Sequence, residues 1–215
     1  VDEFKSQHRG GRGVKGMGVH KDDFIEQLIS SSTHDMLLFF TNSGKVYSMK
    51  GYEVPEYGRA AQGIPIINLL GINNKEKISA VINVSHETND DDKYLFFTTK
   101  LGTVKRTAVT EFKNIRSNGL KALNLHENDE LIDVEVISED QPMIIGTHNG
   151  YALSFKSSVV RSMGRSAAGV RGIRLRDEDY VIGAAPLNPD SKVLVISENG
   201  FGKQTPASEY PIKGR

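Results

Sequence analysis

The segment SQHRGGRGVKGMG, residues 6–18, combines closely spaced glycines with positive charges. The two residue types alternate as Arg9, Gly10, Gly11, Arg12, Gly13, Lys15 and Gly16. Because glycine has no Cβ, its backbone can approach another surface closely, and the cations favour a surface that carries negative charge. The same composition would also suit a flexible linker, so the segment on its own does not decide between a binding loop and a spacer.

Residue combinations typical of catalysis do not occur elsewhere in the chain. The six histidines form no His-Glu-x-x-His pair, and GRGVKG (11–16) lacks the Gly-Lys-Ser/Thr spacing of a phosphate-binding loop. The absence of cysteine excludes disulfides and thiolate metal sites. The seven tyrosines fall on predicted strands or turns, and none is assigned a nucleophilic role. We therefore expect no catalytic residue, metal site or cofactor in this chain.

The composition is that of an ordinary globular protein, but the charges are unevenly distributed. The chain has 215 residues, 38% of them hydrophobic, and a formal net charge of zero. Six cations and one anion lie in residues 98–121 and six cations and no anion in 154–176, whereas 126–140 carry seven anions and no cation. A neutral chain can therefore form a basic surface. The absence of a signal peptide or a long apolar run leads us to expect a cytosolic protein.

A repeated unit of about 50 residues organises these charge blocks. Each unit contains an apolar strand, a turn with glycine and a second strand with cations, at residues 37–50, 94–107, 143–156 and 193–205. The turn glycines Gly44, Gly102, Gly150 and Gly200 are spaced by 58, 48 and 50 residues. A second landmark, a glycine that opens an apolar segment, keeps the same period at residues 13–16, 63–66, 119–123 and 169–172. Two landmarks in step predict a repeat architecture.

The pieces of each unit are predicted to be β-strands. Apolar residues alternate with polar ones in 78–84 and 132–136, and the place of 22–29 in the repeat predicts a strand there too. Asn149-Gly150 and Asn199-Gly200 suit two-residue type I′ turns. Units of this length with about four short strands each indicate an all-β propeller or a close relative. The alternative is a pair of β-sandwiches or barrels.

Cations recur at equivalent places in the units, and in a radial array they would form a positive band around the rim. Such a band suits the regularly spaced phosphates of duplex DNA, which it would contact without reading sequence. The residues predicted to contact DNA on this rim are Lys15, Lys45, Lys50, Arg59, Lys100, Lys105, Arg106, Lys113, Arg116, Lys156, Arg161, Arg165 and Lys203.

With the repeat beside it, QHRGGRG (7–13) resembles the box motif of the gyrase A family of DNA topoisomerases, whose usual form is Gln-Arg-Arg-Gly-Gly-Lys-Gly. Arg12 replaces the usual lysine and His8 the usual arginine, while the other positions match: Gln7, Arg9, Gly10, Gly11 and Gly13. The resemblance continues through 33–56, 102–112 and 161–173 and covers essentially the whole chain. The chain is identified as similar to the C-terminal domain of this family in Gram-positive bacteria.

The resemblance implies a β-pinwheel, a propeller-like disc whose blades exchange strands and around whose rim DNA is wrapped. It implies one domain over 1–215 that holds about four of six blades, a truncated fragment with approximate repeats at 1–61, 62–118, 119–168 and 169–215. In the family, the box on the first blade is needed for the wrap that leads to negative supercoiling.

The family also implies partners and cofactors outside this chain. DNA gyrase is an ATP-hydrolysing type II topoisomerase, an isomerase built from two copies each of gyrase A and gyrase B, in which ATP and Mg²⁺ bind to other domains. The bacterial cytoplasm, in association with the chromosome, is the expected location. The related C-terminal domain of topoisomerase IV, whose box is generally degenerate or absent, and a protein-interaction propeller are the alternatives.

Overall fold

The computed structural model describes residues 8, 13, 15–21, 23–85 and 92–214 of the chain. Its regular structure consists of β-strands and single turns of 3₁₀-helix. The strands are β1 (Met36–Thr41), β2 (Lys45–Lys50), β3 (Ile78–Val84), β4 (Tyr94–Thr99), β5 (Thr103–Ala108), β6 (Leu120–Lys121), β7 (Leu131–Ile137), β8 (Pro142–Thr147), β9 (Ala152–Lys156), β10 (Val170–Arg171), β11 (Val181–Pro186), β12 (Lys192–Ile196) and β13 (Gly202–Pro206). The 3₁₀ turns are Gly51–Glu53, Ile66–Asn68, Val109–Phe112, Ser157–Val159 and Ala207–Glu209. No helix in the described part of the chain is long and apolar enough to span a membrane.

The four predicted hairpins are confirmed as β1–β2, β4–β5, β8–β9 and β12–β13. Their turns are not of type I′, because Asn149 and Asn199 do not have positive φ and only the glycine does, with φ of 82° at Gly150. The amide of Gly150 donates to the carbonyl oxygen of Thr147, and the Thr147 hydroxyl accepts from the amide of Tyr151. This is a type I turn followed by a left-handed glycine, which the threonine hydroxyl stabilises.

Each of the first three sheets combines strands of two or three repeats. The first has the order β3-β1-β2-β6 and the second β10-β5-β4-β7, while β11-β8-β9 and β12-β13 form smaller sheets. Every hairpin that has a third strand takes it from the next repeat, and β6 and β10 come from two repeats further on. The repeat boundaries at 61, 118 and 168 therefore divide the sequence but not the sheets. The prediction of a single domain over 1–215 stays a prediction.

The sheets have an inner and an outer edge. Strands β3 and β7 contact each other across sheets, and so do β7 and β11, so these three strands lie side by side on the inside. At the opposite edges lie β6 and β10, which follow β2 and β5 in their sheets. The outer edge is therefore formed by the short segments that begin at the second repeated glycine.

The core lies between successive sheets. Phe40, Phe97 and Phe112 pack edge to face or tilted, with ring centroids 5.5–6.0 Å apart, between the first and second sheets. Phe96 and Phe155 belong to a second cluster between the second and third sheets. The continuous apolar runs of β1, β4 and β8 supply side chains to both neighbouring sheets, because each of these strands is buried on both faces.

The prediction of a strand over 22–29 is wrong for the described residues 23–29, which have no regular structure. Phe24 and Leu28 are 75% and 87% exposed. The equivalent segments of later repeats become strands by pairing with the hairpin of the repeat before them. Residues 23–29 have no such hairpin among the described residues, and alternation alone does not satisfy the backbone hydrogen bonds of a strand.

Candidate nucleic-acid interface

The outer edges of the first two sheets each carry an exposed cation. Lys121 lies on β6 and Arg171 on β10, both exposed, while the residue before each is half-buried. Lys15, at the same place in the first repeat, is also exposed. This position holds a cation in the first, third and fourth repeats and Pro65 in the second. The three cations provide repeated positive charge of the kind that a phosphate backbone attracts.

Glycines allow the outer strands to pair closely with the hairpins. Gly119 and Gly169 precede β6 and β10 with φ of 78° and 97°. A Cβ on Gly169 would lie 2.5 Å from the carbonyl oxygen of Val104, the residue with which Val170 pairs. Only glycine allows this backbone to lie so close with positive φ. The glycine therefore places the following cation at the edge of the sheet.

The acids on the inner strand β7, Asp133 and Glu135, are half-buried and line a cavity next to β3. Burial raises the pKa of Asp133 and raises that of Glu135 to about 7, with the charge of Asp133 adding to the second shift. Asp133 also accepts a hydrogen bond from the amide of Ala184 on β11. These two acids lie on the inner strand, whereas Lys121 and Arg171 lie at the outer edges of the sheets.

Two predicted rim arginines brace the loops that lead into the outer segments. Arg59 donates from Nη1 to the carbonyl oxygen of Lys15, at 2.9 Å. Arg165 donates from Nη1 to the carbonyl oxygen of Glu111, at 3.1 Å, and its Nε lies 3.9 Å from the carboxylate of Glu111. These arginines connect chain segments as well as contributing charge.

The structure corrects the expectation for Lys105 and Arg106, because both side chains are buried. The Nζ of Lys105 donates to the carbonyl oxygens of Ala122 and Arg165, each at 2.6 Å. Arg106 donates to the carbonyl oxygen of Glu139 at 2.7 Å, and its guanidinium stacks 4.5 Å from the ring centre of Tyr94. Both lie on β5, the third strand from the inside, and are held by backbone carbonyl groups of the segments around residues 122, 139 and 165. They support the fold and are not accessible to DNA.

Three other predicted rim cations already have partners. Lys45 forms a salt bridge with Glu76 at 2.9 Å, and this hydrogen bond raises the pKa of the ammonium group. Lys156 pairs with Asp140 at 2.7 Å. The ammonium of Lys100 lies 5.4 Å from the ring centre of Tyr180. Their charge is partly compensated within the protein, so we expect them to contribute less to an interface than exposed cations.

The remaining predicted rim cations are accessible to different degrees. Lys50 is half-buried at the end of β2, and the others are exposed: Lys15, Arg59, Lys113, Arg116, Arg161 and Lys203. Of the predicted box, His8 and Gly13 are described, and both are exposed. The rest of the box lies outside the described residues: Gln7, Arg9, Gly10, Gly11 and Arg12. In the described part of the chain, no group of three or more histidine and acidic side chains could hold a metal ion.

Sequence reasoning missed Lys121 and Arg171, although a signal was present. Both stand two residues after the second repeated glycine, as Lys15 does after Gly13. The hairpins drew attention because they carry more cations. The pairing of this short segment at the outer edge of a sheet, which the sequence does not reveal, makes its cations the accessible ones.

Comparison with known proteins agrees with this architecture. A family model described as "DNA gyrase C-terminal domain, beta-propeller" matches residues 1–32, 35–85, 93–138, 141–188 and 191–215. The gyrase A protein of Staphylococcus epidermidis is 47% identical and that of Staphylococcus aureus 45% identical, each over 100% of this chain and 24% of the relative. The chain thus spans about a quarter of the length of these curated relatives.

Two solved structures share the fold. A gyrase A C-terminal domain is 29% identical with a TM-score of 0.82, over 100% of this chain and 69% of that one. A C-terminal domain of DNA topoisomerase IV is 31% identical with a TM-score of 0.74, over 85% of this chain and 57% of that one.

Proposed function

This chain belongs to the DNA gyrase C-terminal domain family, and we propose that it binds and wraps duplex DNA without sequence preference. The contact surface is the outer edge of the sheets, where the backbone phosphates meet Lys15, Lys121 and Arg171. Exposed arginines in the loops before these segments, Arg59 and Arg116, extend the surface.

The position of the cations on the outer strands is the observation that supports this proposal. Lys121 and Arg171 occupy the same place in successive sheets, with the half-buried acids Asp133 and Glu135 on the inner strand β7. A series of single cations spaced by the sheets follows a phosphate backbone, because phosphate contacts need charge and spacing but no base-edge geometry. Among the described residues there is no long helix that could enter a major groove.

Following the outer edge from sheet to sheet requires the DNA to bend. Smooth bending of a site of 20–30 base pairs costs on the order of 1–6 kcal/mol. Phosphate contacts that become available only on bent DNA must offset this cost. The chain therefore prefers DNA long enough to reach several sheets, and it releases more counterions on longer DNA.

In the whole enzyme, this wrapping directs an ATP-dependent type II topoisomerase towards negative supercoiling. The partners are the remainder of gyrase A and gyrase B, with ATP and Mg²⁺ bound in other domains and none needed here. The site of action is the bacterial chromosome in the cytoplasm. The box at residues 7–13 acts as the point at which the DNA path is fixed.

The test is binding of this chain to short and long linear duplexes of unrelated sequence, by gel shift across a salt series. We expect binding that is independent of sequence, stronger for the longer duplex and steeply weakened by salt. A matched single-stranded oligonucleotide of the same length serves as control. Circular DNA relaxed by a topoisomerase in the presence of the chain reports wrapping separately, as a change in linking number.

The outcomes separate the candidate functions. Equal affinity for short and long duplexes would indicate charge contact without wrapping. Absence of binding even at low salt would contradict the proposal and would favour a protein-interaction propeller. Addition of the chain to gyrase lacking its own C-terminal domain tests the supercoiling role, since a topoisomerase IV-like domain would support relaxation without restoring supercoiling.

A further inference from the structure

Lys105 is a charged residue at a position that is apolar in the hairpins on either side of it. Counted from the turn glycine, the equivalent residues are Tyr47 and Leu153, and both pack in apolar clusters. The fourth hairpin has Lys203 at this position, and that lysine is exposed. Lys105 is 0% exposed, and its ammonium group lies 5.3 Å from the ring centre of Phe97. Because an apolar side chain would fill this space without the cost of burying a charge, the charge needs an explanation.

The ammonium group of Lys105 joins two chain segments at the rim. It donates to the carbonyl oxygens of Ala122 and Arg165, each at 2.6 Å. Ala122 directly follows Lys121, the exposed cation at the outer edge of the first sheet. Arg165 lies in the loop that leads to β10, at the outer edge of the second sheet. One buried donor thus holds backbone groups that belong to two neighbouring outer edges.

Further hydrogen bonds hold these two segments side by side. The amide of Asn124 donates to the carbonyl oxygen of Ala167 at 3.3 Å, and the side-chain Nδ2 of Asn124 donates to the carbonyl oxygen of Ser166. We call residues 121–124 together with 165–167 the rim junction. Because β6 belongs to the first sheet and β10 to the second, the rim junction lies between two successive outer edges.

Arg106, the next residue on β5, is also buried but holds a different part of the molecule. It donates to the carbonyl oxygen of Glu139 at 2.7 Å, and its guanidinium lies 4.5 Å from the ring centre of Tyr94. Glu139 lies in the connection between the inner strand β7 and β8. Of these two buried cations, Lys105 is therefore the one whose side chain donates to the rim junction.

We propose that Lys105 is a positioning residue for DNA wrapping, an inference that rests on the proposed function. Its hydrogen bonds fix the spacing between Lys121 and the loop that holds Arg165. The phosphate contacts of the first outer edge then continue into those of the second along one path. Lys105 acts through these segments and does not touch DNA, because its side chain is buried.

The role of Lys105 depends on the length of the DNA. A short duplex meets the cations of one outer edge, and these contacts need only charge at that edge. A longer duplex crosses the rim junction, so its phosphates must match the spacing between Lys121 and Arg171. A bent duplex has little freedom to correct an error in this spacing, because further bending adds to the deformation cost. Loosening of the rim junction should therefore weaken the binding of long DNA more than that of short DNA.

The charge of Lys105 provides a test that separates positioning from stability. Burial lowers the pKa of Lys105 to about 8, while the charge of Glu111 opposes this shift and that of Arg165 adds to it. Between about pH 7 and 9 the ammonium group becomes a neutral amine, whose hydrogen bonds to the two carbonyl oxygens are weaker. Loss of the buried charge stabilises the folded chain over the same interval. Wrapping and stability should therefore change in opposite directions.

The experiment compares a short duplex of about one helical turn with a long duplex of about 30 base pairs. Gel shift at one salt concentration gives the ratio of the two affinities. Relaxation of circular DNA by a topoisomerase in the presence of the chain reports the wrap as a change in linking number. We expect Lys105→Met to keep the affinity for the short duplex. The preference for the long duplex should fall by about tenfold, because two hydrogen bonds from a charged donor are lost, and the change in linking number should decrease with it.

Arg106→Met is the matched control, because it removes a buried cation from the same strand without removing a bond to the rim junction. It should lower the free energy of unfolding but keep the preference for the long duplex. Two further measurements do not require Lys105→Met to fold. Asn124→Ala, which removes the bond to Ser166 inside the rim junction, should also reduce the preference. The preference of the unmodified chain should decrease between about pH 7 and 9 while thermal unfolding shows no loss of stability.

Any of three results would overturn the proposal. Folded Lys105→Met could keep the preference for the long duplex, Arg106→Met could lose it equally, or the preference of the unmodified chain could follow its stability across the pH series. A failure of the proposed function gives a different result, since the unmodified chain would then show no preference for the long duplex at any pH. That result would overturn both, whereas the first three leave wrapping by the unmodified chain in place.

Discussion

Lys105 places its ammonium nitrogen 2.6 Å from the carbonyl oxygen of Arg165, a residue sixty positions further along the chain. The same nitrogen donates to the carbonyl oxygen of Ala122 at 2.6 Å and lies 5.3 Å from the ring centre of Phe97. One buried cation thus ties the loop before β10 to the segment after β6. The loops that present the outer cations are held from the interior by this contact.

The buried position of Lys105 predicts a pH dependence of stability. Burial lowers the pKa of Lys105 from 10.5 to about 8, so between these two pH values the unfolded chain binds more protons than the folded chain. The free energy of unfolding contributed by this residue should therefore rise from pH 8 to 10.5. We expect the difference in urea stability between the unmodified chain and Lys105→Met to increase over this interval. A difference that stays constant would show that the ammonium keeps an ordinary pKa.

Glu135 should change the free energy of unfolding in the opposite direction, at lower pH. Burial and the neighbouring charge of Asp133 raise the pKa of Glu135 from 4.5 to about 7, so the folded chain binds more protons between these values. The stability contributed by Glu135 is present in full below pH 4.5 and is lost as the pH rises to 7. Glu135→Gln should therefore be more stable than the unmodified chain at pH 7.5 and equal to it at pH 4. Glu130→Gln, which removes an exposed acid nearby, is the control for the loss of one carboxylate.

The close approach of Gly169 to Val104 leads to a prediction about the pairing of β10 with β5. Gly169→Ala combines a positive φ with a Cβ 2.5 Å from the carbonyl oxygen of Val104. The backbone and crowding costs add, so we expect a loss of about 2–5 kcal/mol in the free energy of unfolding. Gly150→Ala has a similar φ but open space around the Cβ, so it should cost only about 1–2 kcal/mol. Chemical denaturation measures both. Equal losses would mean that the close approach to Val104 does not matter.

The outer cations predict a change in the salt dependence of DNA binding. Lys121→Gln with Arg171→Gln removes two phosphate contacts, which should reduce the slope of log affinity against log salt by about 2 and weaken binding to all sequences alike. The control Lys75→Gln with Lys77→Gln removes the same charge next to the inner strand β3 and should change the slope little. If both double variants change the salt slope equally, net charge alone determines binding and the DNA does not follow the outer edge.

The box predicts a difference between binding and wrapping. Arg9→Ala with Arg12→Ala should reduce supercoiling by the reassembled enzyme more than it reduces plain DNA binding by this chain, because a fixed point affects the path of the DNA as well as its affinity. Gel shift and a supercoiling assay measure the two effects. His8→Arg, which restores the usual box residue, is the companion variant. Proportional losses in both assays would argue against a special role of the box.

The hairpins could be predicted from the sequence because their signals are local. A turn glycine such as Gly44 and the apolar run of β1 before it act within a few residues, and the same pattern recurs in each repeat. The turn type was missed because the threonine hydroxyl that stabilises it, as in Thr147, favours a type I turn with a left-handed glycine over type I′. The basic surface was also predicted from local spacing. Local spacing did not show which of its cations are exposed.

The accessibility of the cations depended on partners distant in sequence. Lys105 and Arg106 carry charge in a hairpin like the others, yet both are buried and donate hydrogen bonds to carbonyl oxygens of later repeats. The sequence did not single out Lys121 and Arg171. They lie at the outer edges of the sheets because β6 and β10 pair with hairpins that precede them by two repeats.

The sequence by itself determined the repeat, the all-β class, the hairpins and the resemblance of the box, since these rest on periodicity and turn chemistry within one unit. Only the tertiary structure decided which strand joins which sheet, and therefore which cations face outwards and why residues 23–29 form no strand. The physical reason is that a β-strand satisfies its backbone through a neighbour. In this molecule the inner and outer strands of a sheet come from one or two repeats further along the chain. Whether a side chain is exposed therefore depends on which distant strand pairs beside it, and neighbouring residues in the sequence do not show this.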